Sequence, residues 1–159
     1  MNHVGFGYDL HRLRREEGEL LLATCAIPSP YVVEAHSDGD VLLHALSNAL
    51  LSSVGEEDIG VYFPDTSSAT LNMSSLEILE FSLAKVKEKG YILNNAVVCI
   101  NLEKPKLLPY RKQIKEKLCQ LLSLDDECVS IQATTGEKLG PIGNSEALCC
   151  YATVLVSKE

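Results

Sequence analysis

Several features are missing from this sequence, and each absence excludes a class of protein. No apolar run approaches the ~20 residues that span a bilayer as a helix, so no membrane partner is expected. The opening segment, MNHVGFGYDLHRL, has neither the basic nor the apolar stretch of a signal peptide, and it is not a Ser/Arg-rich transit sequence. Positive charge is scarce: 14 Lys+Arg face 22 Asp+Glu, for a net charge of −8. A nucleic-acid partner needs a basic face and is therefore not expected. The six cysteines, at positions 25, 99, 119, 128, 149 and 150, form no CxxC and no finger-like spacing. Most lie in apolar stretches such as Val97-Val98-Cys99-Ile100, where a free thiol packs as a small hydrophobe. Each is expected to be buried in a reducing compartment: a bacterial cytoplasm, or a plastid stroma after processing.

With 46% apolar and 23% charged residues, the 159-residue chain reads as a single globular domain over 1–159, without repeats or linkers. Residues 3–11 look like a strand, followed by a polar patch, Arg12 to Gly18. A second strand-like run, Leu20 to Ile27, ends at Pro28-Ser29-Pro30. Val41, Leu42, Ala45, Leu46, Ala49 and Leu50 have helical spacing, with Ser37 or Asp38 as the expected cap and Gly55 as the stop. Residues 55–73 read as a long loop, of the kind that often carries function. Ser74-Ser75-Leu76-Glu77 resembles a capping box opening a helix that closes at Gly90. Residues 96–102, Cys128 to Ala133 and Ala147 to Val156 are further strands, and Pro109 suits the first turn of a helix over Tyr110 to Leu122. The expected fold is α+β, a mixed sheet of about five strands with three helices packed on one face.

Chemistry-bearing residues cluster early. Asp9 and His11, two apart on a strand, point to one face. His44 lies in the first turns of the helix after His36-Ser37-Asp38-Gly39-Asp40. One carboxylate and two imidazoles suit a zinc ion with an open fourth position, although D-x-H also occurs as a plain surface pair and His44 could sit on an outer helix face. The His36-Ser37 segment before a helix suits a phosphate, or else forms an elaborate cap. Asp58-Ile59-Gly60 and Phe63-Pro64-Asp65-Thr66 could meet sugar hydroxyls, or simply make turns. Thr134-Thr135-Gly136-Glu137-Lys138 could cradle a phosphate, with Glu137 holding a hard cation such as magnesium. The six basic residues between Glu103 and Lys117 read mainly as a solvated helix face, with Lys104-Pro105-Lys106 better placed for a ligand.

Taken in order, these segments resemble one family across the whole chain. Gly5-Phe6-Gly7-Tyr8-Asp9-Leu10-His11 is similar to its GxGxDxH opening, and AHSDGDVLLHAL (35–46) to its most specific motif. Asp58-Ile59-Gly60, Phe63-Pro64-Asp65-Thr66, Lys104-Pro105-Lys106 and Ala133 to Gly140 follow in the expected order. The family is 2-C-methyl-D-erythritol 2,4-cyclodiphosphate synthase, of the non-mevalonate isoprenoid pathway. The resemblance implies a homotrimer with active sites between adjacent subunits and a cytidine diphosphate-linked substrate, 4-diphosphocytidyl-2-C-methyl-D-erythritol 2-phosphate. It implies zinc at Asp9, His11 and His44, transition-state stabilisation by His36 and Thr135, and magnesium or manganese at Glu137. Ser37 would fix the phosphates, and Asp58, Ile59, Gly60, Phe63, Pro64, Asp65, Thr66 and Ser67 the methylerythritol. Leu102, Glu103, Lys104, Pro105, Lys106, Leu107 and Leu108 would form the cytidine pocket, with Thr134, Gly136, Pro141 and Asn144 towards the nucleotide phosphates.

Four positions depart from the family pattern. Gly136 replaces a threonine, Pro141 a common aromatic, Asn144 an arginine, and Asn48 an aspartate one turn after His44. None removes a metal ligand, so activity is expected, from a monofunctional chain. The competing readings are another metal-dependent phosphotransferase or phosphohydrolase, and a trimeric binding protein whose zinc is structural.

Overall fold

The computed structural model describes residues 1–158; Glu159, at the end of the expected 1–159 domain, lies outside the described residues. The elements are β1 (Asn2–Leu22), β2 (Cys25–Glu34), α1 (Val41–Ser53), α2 (Ile59–Tyr62), α3 (Ser75–Glu88), β3 (Tyr91–Asn101), α4 (Arg111–Leu122), β4 (Val129–Thr134), α5 (Gly140–Gly143) and β5 (Ala147–Lys158). The five strands form one mixed sheet in the order β2-β1-β5-β3-β4, antiparallel except for the β3/β4 pair. The α+β class and the strand number agree with the sequence reading.

Alternation along the strands decides the two faces of the sheet. Ala96, Val98 and Ile100 of β3 and Ala152, Val154 and Val156 of β5 are buried under the helices. α1 lies on β1 and β5 with Leu42, Leu46 and Leu50 fully buried, each contributing ~1.5–3 kcal/mol. The same helix comes unusually close to β1. A Cβ on Gly7 would stand 1.9 Å from the Ala45 carbonyl oxygen, and one on Gly5 would stand 1.9 Å from that of Ala49. The two glycines of the opening motif thus let helix and strand backbones touch.

The opposite face of β1 and β5 is apolar and open. Val4, Phe6, Tyr8, Leu10 and Tyr151 are all exposed there, Phe6 by 59%. The Tyr8 and Tyr151 rings meet there at a tilt of 41°, with centroids 5.1 Å apart.

Four expectations need correction. The polar patch Arg12 to Gly18 is strand, not a turn: β1 runs through it and pairs with β2, with one register shift between Arg15 and Gly18. The reversal falls instead at Ala23-Thr24, both at positive φ (52° and 64°), as a primed hairpin turn requires. Neither is a usual residue for that turn; the buried Asp40 carboxylate holds it, accepting from Ala23 N (3.2 Å) and Thr24 N (2.7 Å). Pro28 and Pro30 lie within β2, which tolerates them as an edge strand.

The cap of α1 is Asp40, which accepts from Leu43 N at 3.0 Å. Ser37 and Asp38 do not cap it because their side chains are engaged elsewhere. Asp38 accepts from Ser75 N and Asp40 N, and the Ser37 hydroxyl lies against His44. The capping box at Ser74 and Glu77 is present, and the long loop contains α2 and a 3₁₀ turn over Ser68–Thr70. Only Cys149 and Cys150 are buried; the other four cysteines are half-buried, Cys25 beside the hairpin tip and Cys99 on the open sheet face. No helix among the described residues is long and apolar enough to cross a membrane.

Candidate functional site

Asp9, His11 and His44 converge where β1 meets the start of α1. His44 Nδ1 lies 3.1 Å from Asp9 Oδ2, and His11 Nδ1 lies 3.0 Å from the same oxygen. Their ligand-capable atoms all fall within 4.8 Å of one another. Parity along β1 sends Asp9 and His11 to the helix side, and the Gly5/Gly7 contact brings α1 near enough for His44 to join them.

Two observations fit this trio to a cation. His11 Nδ1 is buried without a hydrogen-bond partner, because its approach to Asp9 is out of line for one. The donor set, two imidazole nitrogens and one carboxylate oxygen, is that of a three-ligand zinc site. Burial opposes the charge on Asp9, but the contacts with His11 and His44 outweigh it and hold the carboxyl below its ordinary range. For His44, burial opposes protonation and the Asp9 carboxylate overcomes it, so the imidazole is raised above its ordinary value.

The trio opens into a cavity of about 440 Å³ that is also lined by His36, Ser37, Ile59, Gly60, Phe63 and Asp65. His36 is anchored through Nε2, which lies 3.1 Å from both the Ser67 carbonyl and the Thr70 hydroxyl. Asp58 caps α2, accepting from Gly60 N at 3.0 Å, and lines a neighbouring groove with Phe6 and Tyr8. Pro64, Thr66 and Ser67 do not line the main cavity, although Pro64 and Ser67 accept from the Thr70 hydroxyl through their carbonyls.

The remaining candidates gather in a separate cavity at the C-terminal ends of β3 and β4. Leu102, Glu103, Pro105, Lys106, Leu107, Leu108, Thr134 and Thr135 line it; Lys104 does not. Glu103 accepts from Gly136 N at 2.9 Å, and the Thr135 hydroxyl accepts from Glu137 N at 3.2 Å. Gly136 has a steric reason, since a Cβ there would stand 2.5 Å from Gly143 N. Any larger residue would force α5 away. Pro141 and Asn144 lie exposed at this helix.

Sequence reasoning missed Thr70 and Ser75 as site residues and noted Asn48 only as a departure from the family pattern. Thr70 buttresses His36, Ser75 contacts His44, and Asn48 ties α2 to α1 by accepting from Ile59 N at 2.9 Å. Ser75 was visible only as part of a capping box, Thr70 lies in an aperiodic loop, and only the spacing of Asn48 from His44 marked it.

Comparison with known proteins agrees over the whole chain. A "2-C-methyl-D-erythritol 2,4-cyclodiphosphate synthase" of Listeria monocytogenes serotype 4b (strain CLIP80459) is 41% identical over 158 residues, covering 99% of this chain and 100% of the relative. The "Bifunctional enzyme IspD/IspF" of Wolbachia pipientis wMel is 41% identical over 157 residues, covering 96% of this chain but only 40% of its own length. A solved structure described as an IspF (Plasmodium falciparum) CDP complex superposes with a TM-score of 0.86 at 29% identity, covering 99% of this chain and 97% of that one. The model of the YgbB family matches residues 2–157, and the chain belongs to that family.

Proposed function

We propose that the protein converts 4-diphosphocytidyl-2-C-methyl-D-erythritol 2-phosphate into 2-C-methyl-D-erythritol 2,4-cyclodiphosphate and CMP, in isoprenoid biosynthesis. The observation that carries the reading is the Asp9/His11/His44 trio, with its partnerless buried nitrogen, sharing one cavity with His36 and Ser37. The name of the Listeria relative and the CDP in the Plasmodium structure support the substrate class. One domain over 1–159 would carry the activity, in a cytoplasmic setting.

The reaction sets the demands on the site. The 2-phosphate must attack the β-phosphorus of the diphosphate in the same molecule, although both groups are anionic. The chain must fold the substrate back on itself, and holding both ends removes much of the entropic cost. Zinc at Asp9, His11 and His44, with magnesium or manganese at Glu137, would supply the positive charge that offsets the repulsion and aligns the phosphates. The attacking oxygen is already ionised, so no protein nucleophile is required. His36 and Thr135 would stabilise the phosphoryl oxygens as charge develops, and the anchoring of His36 on Ser67 and Thr70 fixes its direction beforehand. Ser37 would hold the phosphates, and the α2 loop with Phe63 and Asp65 the methylerythritol. The cavity at Lys106 and Thr134 would take the cytidine.

Those two cavities share no lining residue within one protomer. A homotrimer, with each site formed between adjacent subunits, would join the metal cavity of one copy to the nucleotide cavity of the next. The open apolar face of β1 and β5 supports that assembly.

Phosphorus NMR of the substrate with zinc-loaded, magnesium-supplemented protein tests the proposal. Two coupled cyclodiphosphate resonances plus CMP are expected. Unchanged substrate sinks the synthase reading, and CMP without cyclic product makes the protein a hydrolase.

A further inference from the structure

Behind His44, on the side away from Asp9, lies a hydroxyl that neither the metal trio nor the substrate cavity uses. Ser75, the first residue of α3, is fully buried, and its Oγ stands 2.8 Å from His44 Nε2. The same hydroxyl meets Asp38 Oδ1, while Asp38 Oδ2 accepts from Ser75 N at 2.8 Å. Asp38 Oδ1 also accepts from Asp40 N at 3.1 Å, so every partner of this carboxylate is a donor.

Donor and acceptor capacities then fix the direction of the chain of bonds. An ionised carboxylate only accepts, so the Ser75 hydroxyl gives its proton to Asp38. Its oxygen is left to accept from His44 Nε2–H. The Ser37 hydroxyl, 3.3 Å from the same nitrogen and also receiving Gly39 N at 3.4 Å, is the more distant neighbour. With the proton on Nε2, the lone pair of the neutral imidazole is on Nδ1, the atom that faces Asp9.

We infer that Ser75, oriented by Asp38, is a positioning residue for the metal: it fixes the ring and tautomer of His44 so that Nδ1 is presented as ligand. The inference rests on the metal site proposed above. Partners that orient a ligating histidine in this way typically change metal affinity by about 10–100-fold when removed.

The test is zinc affinity of the intact protein, measured by competition with a chromophoric chelator, alongside the cobalt absorption spectrum and the unfolding midpoint of zinc-free protein. Ser75→Ala is expected to bind zinc about 10–100-fold more weakly and to alter the cobalt spectrum. Ser75→Thr, which keeps the hydroxyl, is expected to stay near the wild-type value. Asp38→Asn is the second variant, in case Ser75→Ala fails to fold. An amide places an N–H against a donor in either orientation, so it is expected to weaken zinc binding as well. Wild-type affinity in Ser75→Ala, with or without a lowered unfolding midpoint, overturns the inference and leaves Ser75 as a staple for α3. Failure of the wild-type protein itself to bind zinc overturns the metal reading too, which separates the two failures.

Discussion

His36 and Thr135 line different cavities of the same protomer. His36 shares its cavity with Asp9, His11 and His44, whereas Thr135 shares one with Lys106 and Leu108. His36 follows β2 and Thr135 follows β4, the two edge strands of the sheet, which stand four spacings apart, about 19 Å. In the proposed trimer, both would act on one substrate from two copies of the chain.

Complementation tests this directly. His44→Ala and Thr135→Ala should each be nearly inactive alone. After mixing, unfolding and joint refolding in equal amounts, random trimers should recover about one quarter of wild-type activity, because one interface in four pairs two intact halves. No recovery would mean that each protomer works alone.

The open face of β1 and β5 should hold such copies together. Phe6→Asp places a charge in the centre of this apolar face without touching the core, so the chain is expected to remain folded. Light scattering should then change from roughly three times the 17.4 kDa chain mass to one, with activity lost. A variant that stays trimeric removes this face from the interface.

Gly7→Ala probes the contact that builds the metal trio. The added methyl meets the Ala45 carbonyl at 1.9 Å, and neither backbone can yield cheaply. A loss of about 3 kcal/mol or more is expected in denaturant unfolding, with weaker zinc binding as His44 retreats from Asp9. Gly55→Ala is the comparison: nothing lies within 4 Å of its Cβ, and its φ of +72° alone predicts a loss of about 1 kcal/mol.

Asp40 gives the fold a pH dependence of defined sign. Burial pushes its carboxyl from an ordinary 3.8 up to about 6, against the pull of the N–H groups of Thr24, Leu43 and Ala23. Between those two values the folded chain holds the proton and the unfolded chain does not. Stability from this group therefore falls as pH rises from about 4 to about 6, by on the order of 3 kcal/mol, and is flat outside that window. Asp40→Asn loses a hydrogen bond at every pH but cannot titrate. The stability gap between wild type and variant should narrow, or change sign, as pH rises; a gap independent of pH would falsify the assignment.

Much of this was legible in the sequence because it rests on local rules. The helical spacing of Val41 to Leu50, the Ser74/Glu77 box and the Asp9/His11 parity each depend on residues a few positions apart. The errors came where distant residues decide the outcome. Ala23-Thr24 is a turn because Asp40 holds its amides, and Asp40 became the cap because Asp38 is committed to Ser75. The same holds for Thr70 behind His36, since a contact across 34 positions leaves no periodic trace.

The strand order has a consequence for how the chain comes to be folded. β5 follows every other element in the chain, yet it lies between β1 and β3 in the middle of the sheet. During synthesis the β1–β2 hairpin and α1 can assemble early, and with them the ground for Asp9, His11 and His44. The β3–β4 pair, with the cavity lined by Lys106 and Thr134, can form as a second unit. Until Ala147 to Lys158 leaves the ribosome, two apolar strand edges remain open and the sheet is split, its halves meeting chiefly where α1 packs on α3. The nascent chain is thus a two-piece assembly awaiting its keystone, and its exposure to aggregation or to chaperones lasts until the final strand is released.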